Sequence, residues 1–271
     1  MVGMDSVAQQ VDGLIARAIY NQRREAEGLK TPKATNHIIF TGNPGTGKTT
    51  VAREIARAYH ALGIVPTNKV VEAKRVNLVG GYAGQTALKT KAKFDEAKGG
   101  VLFIDEAYAL KQGDGDSYGQ EAIDTLLAEM ENHRGDTVVI LAGYPREMQQ
   151  FLKTNPGLKS RLPQTINFPD YNADSMRAIM RGMLSDNDHK LANGAAEPIR
   201  AHLRAIASSE SHGNARDVRN FYDRLIDAQS LRLASAPEPS RKDLQMILPE
   251  DVEMAIRMHN ASAQKRKKVR Q

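Results

Sequence analysis

Residues 42–49 read Gly-Asn-Pro-Gly-Thr-Gly-Lys-Thr, a fit to G-x-x-x-x-G-K-[ST], and their flanks constrain the fold around them. The apolar run 37–41 ends at Gly42 and reads as a buried strand. A helix is expected from about Lys48 to Leu62, closed by Gly63. Glycines let backbone N–H groups turn inward around phosphates, and a helix N-terminus adds its dipole. The Lys48 ammonium then reaches β- and γ-phosphates, and the Thr49 hydroxyl suits Mg2+. The plain alternative is a glycine-rich turn without a ligand; a strand before and a helix after weigh against it.

The alternation continues downstream. Apolar runs at 70–76, 101–105, 137–142 and 165–168 read as further strands, with amphipathic helices at 5–28 and 120–133. Residues 31–36 form a polar loop around Pro32. Strands alternating with helices predict an α/β fold with a five-stranded parallel sheet flanked by helices. Past Asp170 the strand signals stop. Helices are expected at 173–185, 196–209, 214–233 and 249–259, broken by a loop at 234–241 with Pro237 and Pro239. Met176, Met180 and Met183 sit at helical spacing and read as core. The predicted organisation is therefore a large α/β domain over 1–170, a small all-helical domain over 171–260 and a basic, disordered tail over 261–271.

The run 101–105 ends in Asp105, followed by Glu106. An acid at a strand's C-terminal end holds Mg2+ through water, and its neighbour polarises an attacking water as a general base. Many buried strands end in acids, but a phosphate loop upstream gives this pair its meaning. Adjacent Asp and Glu favour hydrolysis of ATP over transfer to a small acceptor.

Composition excludes several classes. With 41% hydrophobic and 26% charged residues, whole-chain disorder is ruled out. Without Cys there is no disulfide scaffold, thiolate metal site or Cys nucleophile. No run approaches the length of a membrane span, the first ten residues lack the pattern of a secretory signal, and a cytoplasmic location is expected. The seven His show no metal-binding spacing, and no G-x-S-x-G occurs. Net charge is +6, and Lys265, Arg266, Lys267, Lys268 and Arg270 carry five of those charges. The high pI therefore reports on the tail. Its plain reading is a solvated end; nucleic acid contact through 265–270 is not favoured.

Four strings carry a closer likeness: HIIFTGNPGTGKTT at 37–50, GGVLFIDEAYAL at 99–110, YGQEAIDTLL at 118–127 and NPGLKSR at 155–161. With them the chain resembles the CbbX/CfxQ family of AAA+ ATPases, which includes red-type Rubisco activases, SpoVK-like sporulation proteins and the ATPase domain of EccA. The likeness runs from about Val2 to Asn260. It implies an AAA+ module with a helical lid, ATP and Mg2+ as ligands, and a homo-oligomeric ring, a hexamer, with ATP between subunits. It also implies a protein substrate, whose identity the sequence does not give; from the abrupt start at Val2-Gly3-Met4 no N-terminal adaptor domain is expected.

The resemblance assigns roles by position. Asn43, Pro44, Gly45, Thr46, Gly47, Lys48, Thr49 and Thr50 contact the nucleotide, and Val2 and Gly3 line the adenine. Thr49 and Asp105 hold the metal, and Glu106 and Lys48 act in catalysis. Arg161 matches the arginine finger that reaches a neighbour's γ-phosphate; alone it reads as a surface Arg before a strand. Arg216 matches the lid arginine that contacts nucleotide in its own subunit, with Arg219 a rival. The polar sensor after the 137–142 strand falls near Tyr144, where many AAA+ proteins carry Asn. Tyr82, between glycines at 80–84, matches a pore loop that grips a passing chain; alone it reads as an incidental Tyr in a turn. The 111–120 loop, with Tyr118, reads as a second pore loop or a disordered tip. Two alternatives stand beside an ATP-driven protein remodeller: a nucleic-acid-associated motor or loader, and a nucleotide-dependent assembly switch.

Overall fold

A computed structural model of the chain describes residues 3–31, 35–209, 212–234 and 238–269, for 263–269 the backbone only. Val2, Pro32, Pro237 and Arg270 lie outside the described residues, as do the side chains of Lys265, Arg266, Lys267 and Lys268. The chain forms two compact units: Met4–Asn43 with Gly47–Pro169, and Gly3 with Pro44–Thr46 and the chain from Asp170 onward.

The first unit is built on a five-stranded sheet of β1 (Ile38–Gly42), β2 (Val70–Ala73), β3 (Val101–Ile104), β4 (Val138–Gly143) and β5 (Gln164–Phe168), in the order β2-β3-β4-β1-β5. Every pairing is parallel. The central strands β3 and β4 are buried throughout, whereas the edge strands β2 and β5 alternate buried and exposed. That is the pattern of a sheet covered on both faces with half-covered edges. Around it run α1 (Asp5–Ala26), α2 (Lys48–Ala61), α3 (Arg75–Leu78), α4 (Gln85–Ala97), α5 (Ser117–Asn132), α6 (Pro145–Thr154) and α7 (Pro156–Arg161). One core joins Phe94 of α4, Leu102 and Ile104 of β3, Ile123 and Leu126 of α5, and Leu141 of β4. Register levels the strand ends: Ile39 is opposite Leu141, and Leu141 opposite Ile104. Gly42, Asp105 and Tyr144 therefore leave the sheet at its C-terminal edge.

Two local expectations need correction. The strand predicted over 70–76 stops at Ala73, because the Asn77 side chain accepts from the Lys74 amide and starts α3. The loop predicted over 111–120 ends at Asp116, whose carboxylate accepts from the Gly119 amide and caps α5. Tyr118 therefore sits in the first turn of α5, not at a loop tip. Helix α4 has no clear apolar periodicity, because Thr86 and Thr90 share its buried face with Phe94 and Ala97.

The second unit contains α8 (Ala173–Asp186), α9 (Ala196–Ala207), α10 (Ala215–Leu233), α11 (Arg241–Gln245) and α12 (Pro249–Val269). Met176 and Met180 are buried in its core; Met183 is half-buried. It is helical but not all-helical, since β6 (Lys190–Leu191) and β7 (Met246–Ile247) pair as a two-stranded parallel sheet. Two residues are too short for an alternating pattern to be legible. Helix α12 runs to Val269, past the expected 259 and into the basic segment. Buried Gln229 donates to the carbonyls of Asp243, Leu244 and Met246, which pins the 243–246 segment to α10.

Arg232 on α10 donates from Nε and Nη2 to Asp251 at 2.8 and 3.0 Å, and Asp251 also accepts from the Leu248 amide. The Asp251 side chain is 1% exposed, so this pair is desolvated on one side. Asp251→Ala should cost about 2–3 kcal/mol, because it strands a charged donor and a backbone amide. Thermal unfolding of this variant should begin below that of the wild-type protein; coincident melting would show that the pair is dispensable.

Candidate functional site

The phosphate-loop residues owe their geometry to two glycines. Gly45 and Gly47 have φ of +74° and +88°, left-handed values that favour glycine. Gly47 caps α2, whose first turn has no acid, so its N–H groups and dipole remain suited to an anion. Lys48 is buried, and its Nζ donates to the carbonyls of Gly42 and Asn43 at 2.7 and 2.8 Å. Its ammonium is thus held against the start of the loop. Thr49 and Thr50 follow in the first turn of α2.

Asp105 and Glu106 leave β3 at the edge from which Gly42 leaves β1, with β4 between them. A crevice at the C-terminal ends of parallel strands, where the strand order reverses, is where open α/β sheets bind ligands. The Glu106 amide donates to Asp105 Oδ1 at 3.1 Å. Glu106 itself has φ 53° and ψ 44°, a left-handed conformation costing a non-glycine residue about 1–2 kcal/mol. Such strain concentrates at functional positions. Lys74 Nζ lies 3.2 Å from Glu106 Oε1 and 3.7 Å from Asp105 Oδ2, and the hydrogen bond to Glu106 raises the Lys74 pKa. Tyr144, the first residue after β4, packs its ring against Tyr108 at 5.6 Å, and burial raises the Tyr108 pKa.

The Thr49 hydroxyl and Asp105 carboxylate are hard oxygen donors, a chemistry that fits Mg2+. Among the described residues no group of three or more His, Cys, Asp or Glu could hold a metal.

Arg161 lies elsewhere. It ends α7, with Nε 3.3 Å from Glu131 Oε2 and Nη1 donating to the Gly157 carbonyl at 3.4 Å. Its charge helps depress the pKa of buried His37 to about 4, after burial itself and with Arg134, while Glu131 and the Met130 carbonyl oppose. His37 precedes β1, and Ile38 is level with Gln164, so Arg161 stands at the N-terminal edge of the sheet. A strand rises about 3.3 Å per residue, which puts the length of β1, roughly 15 Å, between that edge and Gly42.

In the second unit, buried Asn214 organises the turn before α10. Its Nδ2 donates to the Pro44 carbonyl and to Asp170 Oδ1, and its Oδ1 accepts from the Tyr171 amide. The Ala215 amide donates to the Gly45 carbonyl. A Cβ on Gly45 would strike the Gly213 carbonyl and lie 3.1 Å from the Arg216 amide. Exposed Arg216 therefore begins beside Gly45. Gly3 lies against Ser175.

Residues 38–170 match the ATPase family associated with various cellular activities (AAA), and residues 172–262 match the AAA lid domain. Protein CbbX of Cereibacter sphaeroides is 41% identical over 93% of this chain and 82% of its own length. The chloroplastic ribulose bisphosphate carboxylase/oxygenase activase of Cyanidioschyzon merolae is 38% identical over 93% and 87%. This chain is an AAA ATPase of the CbbX/CfxQ family. A Thermotoga maritima RuvB variant, 18% identical, superposes with a TM-score of 0.64 over 96% of this chain and 71% of its own, which shows the fold alone.

As an AAA ATPase the chain binds and hydrolyses ATP. No helix among the described residues is long and apolar enough to cross a membrane. Sequence reading missed Lys74 at Glu106 and Arg75 behind it in the first unit, and the contact of Asn214 with Pro44 in the second. None belongs to a local motif; each meets its partner across 30 residues or more. Lys48→Ala should weaken ATP binding roughly 10- to 100-fold, the worth of one or two charge-assisted hydrogen bonds. Titration with a fluorescent ATP analogue checks this; unchanged affinity would remove Lys48 from phosphate binding.

Proposed function

We propose that this AAA ATPase assembles as a ring, six subunits as its family resemblance implies, and uses Mg2+-dependent ATP hydrolysis between subunits to remodel a protein in the cytosol. The observation that carries the reading is the separation of its charged groups. Lys48, Thr49, Asp105 and Glu106 share one edge of the sheet, while Arg161 stands at the other. An Arg side chain does not span that length. If Arg161 meets a γ-phosphate, it is one bound to another subunit.

In this mechanism the loop 43–47 and Lys48 hold the phosphates, with Val2 and Gly3 lining the adenine and Arg216 contacting the nucleotide from its own subunit. Thr49 and Asp105 would hold Mg2+, which when bound would supply neutralisation of phosphate charge. Glu106 accepts a proton from water as its oxygen bonds to the γ-phosphorus. The bond from that phosphorus to the bridging oxygen breaks, and its electrons remain on ADP. Arg161 of the partner subunit faces the transferring group, where a forked guanidinium is worth several orders of magnitude in rate.

The work is done through Tyr82. It is 74% exposed between Gly81 and Ala83, an aromatic presented to solvent. Such a ring grips an extended chain without reading its sequence.

Glu106→Gln should keep ATP binding and slow hydrolysis at least about 100-fold, since loss of a general base costs 10²–10⁴. Loaded with ATP, it should then retain a bound polypeptide from a lysate. Adding Tyr82→Ala should abolish retention, while Tyr82→Ala alone should keep basal turnover. Equal recovery with and without Tyr82 would mean that this loop is only a turn and that the protein works through another surface.

A further inference from the structure

Arg75, the first residue of α3, carries more contacts than any local motif predicts. Its Nη1 donates to Asp116 Oδ2 at 2.6 Å and its Nη2 to Asp116 Oδ1 at 3.2 Å. Nη1 also donates to the carbonyls of Ala109, at 3.2 Å, and Leu110. Those carbonyls close the single 3-10 turn, Ala107–Leu110, that Glu106 caps. Asp116 in turn accepts from the amides of Gln112 and Gly119 at 2.8 and 2.9 Å. One side chain from the start of α3 thus ties down the turn after β3 and the start of α5.

The pair is not a surface decoration. The two side chains are 24% and 11% exposed, and a bidentate fork is the strong form of a salt bridge. Hydrogen bonding to Arg75 holds the Asp116 carboxyl down at about 2. Gly119 leaves room for it: a Cβ there would strike the Leu110 carbonyl and the Asp116 carboxylate.

On its other side Arg75 leads to Tyr82. Lys74, its neighbour, touches Glu106. After α3 the chain enters the 79–84 loop, whose stem is fastened by α4. Thr86 Oγ1 accepts from the Gly80 amide, Thr90 donates to the Leu78 carbonyl, and Lys89 donates to the carbonyls of Val76 and Val79. Hydrogen-bonded backbone and side chains therefore run without a break from the turn after Glu106 to the base of the Tyr82 loop.

We propose that Arg75, seated on Asp116, is a positioning residue that couples Glu106 to Tyr82, making the turn after the acidic pair and the stem of the Tyr82 loop move as one body. The proposal rests on the reading in which Glu106 faces nucleotide and Tyr82 faces substrate. Only a fork serves, because the point charge of a lysine does not bind two carboxylate oxygens and two carbonyls in one fixed geometry.

The chain contains no Trp, so Tyr82→Trp places a single indole at the loop. Its emission is measured with ADP and with a non-hydrolysable ATP analogue, in the otherwise unaltered protein and with Arg75→Lys or Asp116→Asn added. The two nucleotides should give different spectra in the parent. Either added substitution should abolish that difference while a fluorescent nucleotide binds with unchanged affinity. A difference retained in both variants overturns the coupling. So does loss of nucleotide binding in both, which would make Arg75 a brace for the unit. If the parent shows no difference, the reading of Tyr82 as nucleotide-responsive fails first, and the coupling has nothing to transmit.

Discussion

Parallel pairing of β1, β4 and β3 in level register sets where chemistry happens in this chain. Strands that run the same way end together, so the loop after Gly42 and the acids after Ile104 emerge at one edge with β4 between them. The same register sends the residues before β1 and β5 to the opposite edge, and Arg161 goes with them. A parallel sheet thereby separates Lys48, Asp105 and Glu106 from Arg161 within one chain. In the proposed ring, subunits packed side by side would bring them together.

The acidic pair sits at the meeting point of strong and weak contacts. Lys74, Asp105 and Glu106 are 54%, 35% and 44% exposed, so their ion pairs are worth at most about 1 kcal/mol each and break readily. In the proposed mechanism Glu106 would exchange Lys74 for the attacking water. Behind it, the partly buried Arg75–Asp116 fork and the buried Thr86 and Thr90 hold the backbone firmly. A rigid frame with a loosely held acid is what a general base needs: fixed position, exchangeable partner.

The sheet was legible in sequence because its central strands are unbroken apolar runs, bounded by Gly42 and by Asp105. The phosphate loop was legible because its chemistry needs glycines and Lys48 at fixed spacing. Helix α4 was not, since its buried face spends two positions on Thr86 and Thr90, which satisfy backbone groups at 78–80. Val76 suggested a strand but stands 73% exposed on α3. The Arg75–Asp116 fork spans 41 residues and leaves no periodic mark. Nor does Asn214, whose value lies in a left-handed φ of 54° and three hydrogen bonds made in the folded state. The roles proposed for Arg161, Arg216 and Tyr82 rest on the family resemblance, not on composition or spacing.

The central claim is that hydrolysis needs Glu106 from one subunit and Arg161 from the next. It is tested most directly by mixing two variants, Arg161→Ala and Glu106→Gln, each expected to be inactive alone while still binding ATP. Co-assembly is checked by size, and turnover is measured across mixing ratios. Shared sites predict activity that appears on mixing and peaks at intermediate ratios, because some interfaces then carry an intact Glu106 and an intact Arg161. Confirmed mixed assemblies with no turnover at any ratio would contradict it and remove Arg161 from a site shared between subunits.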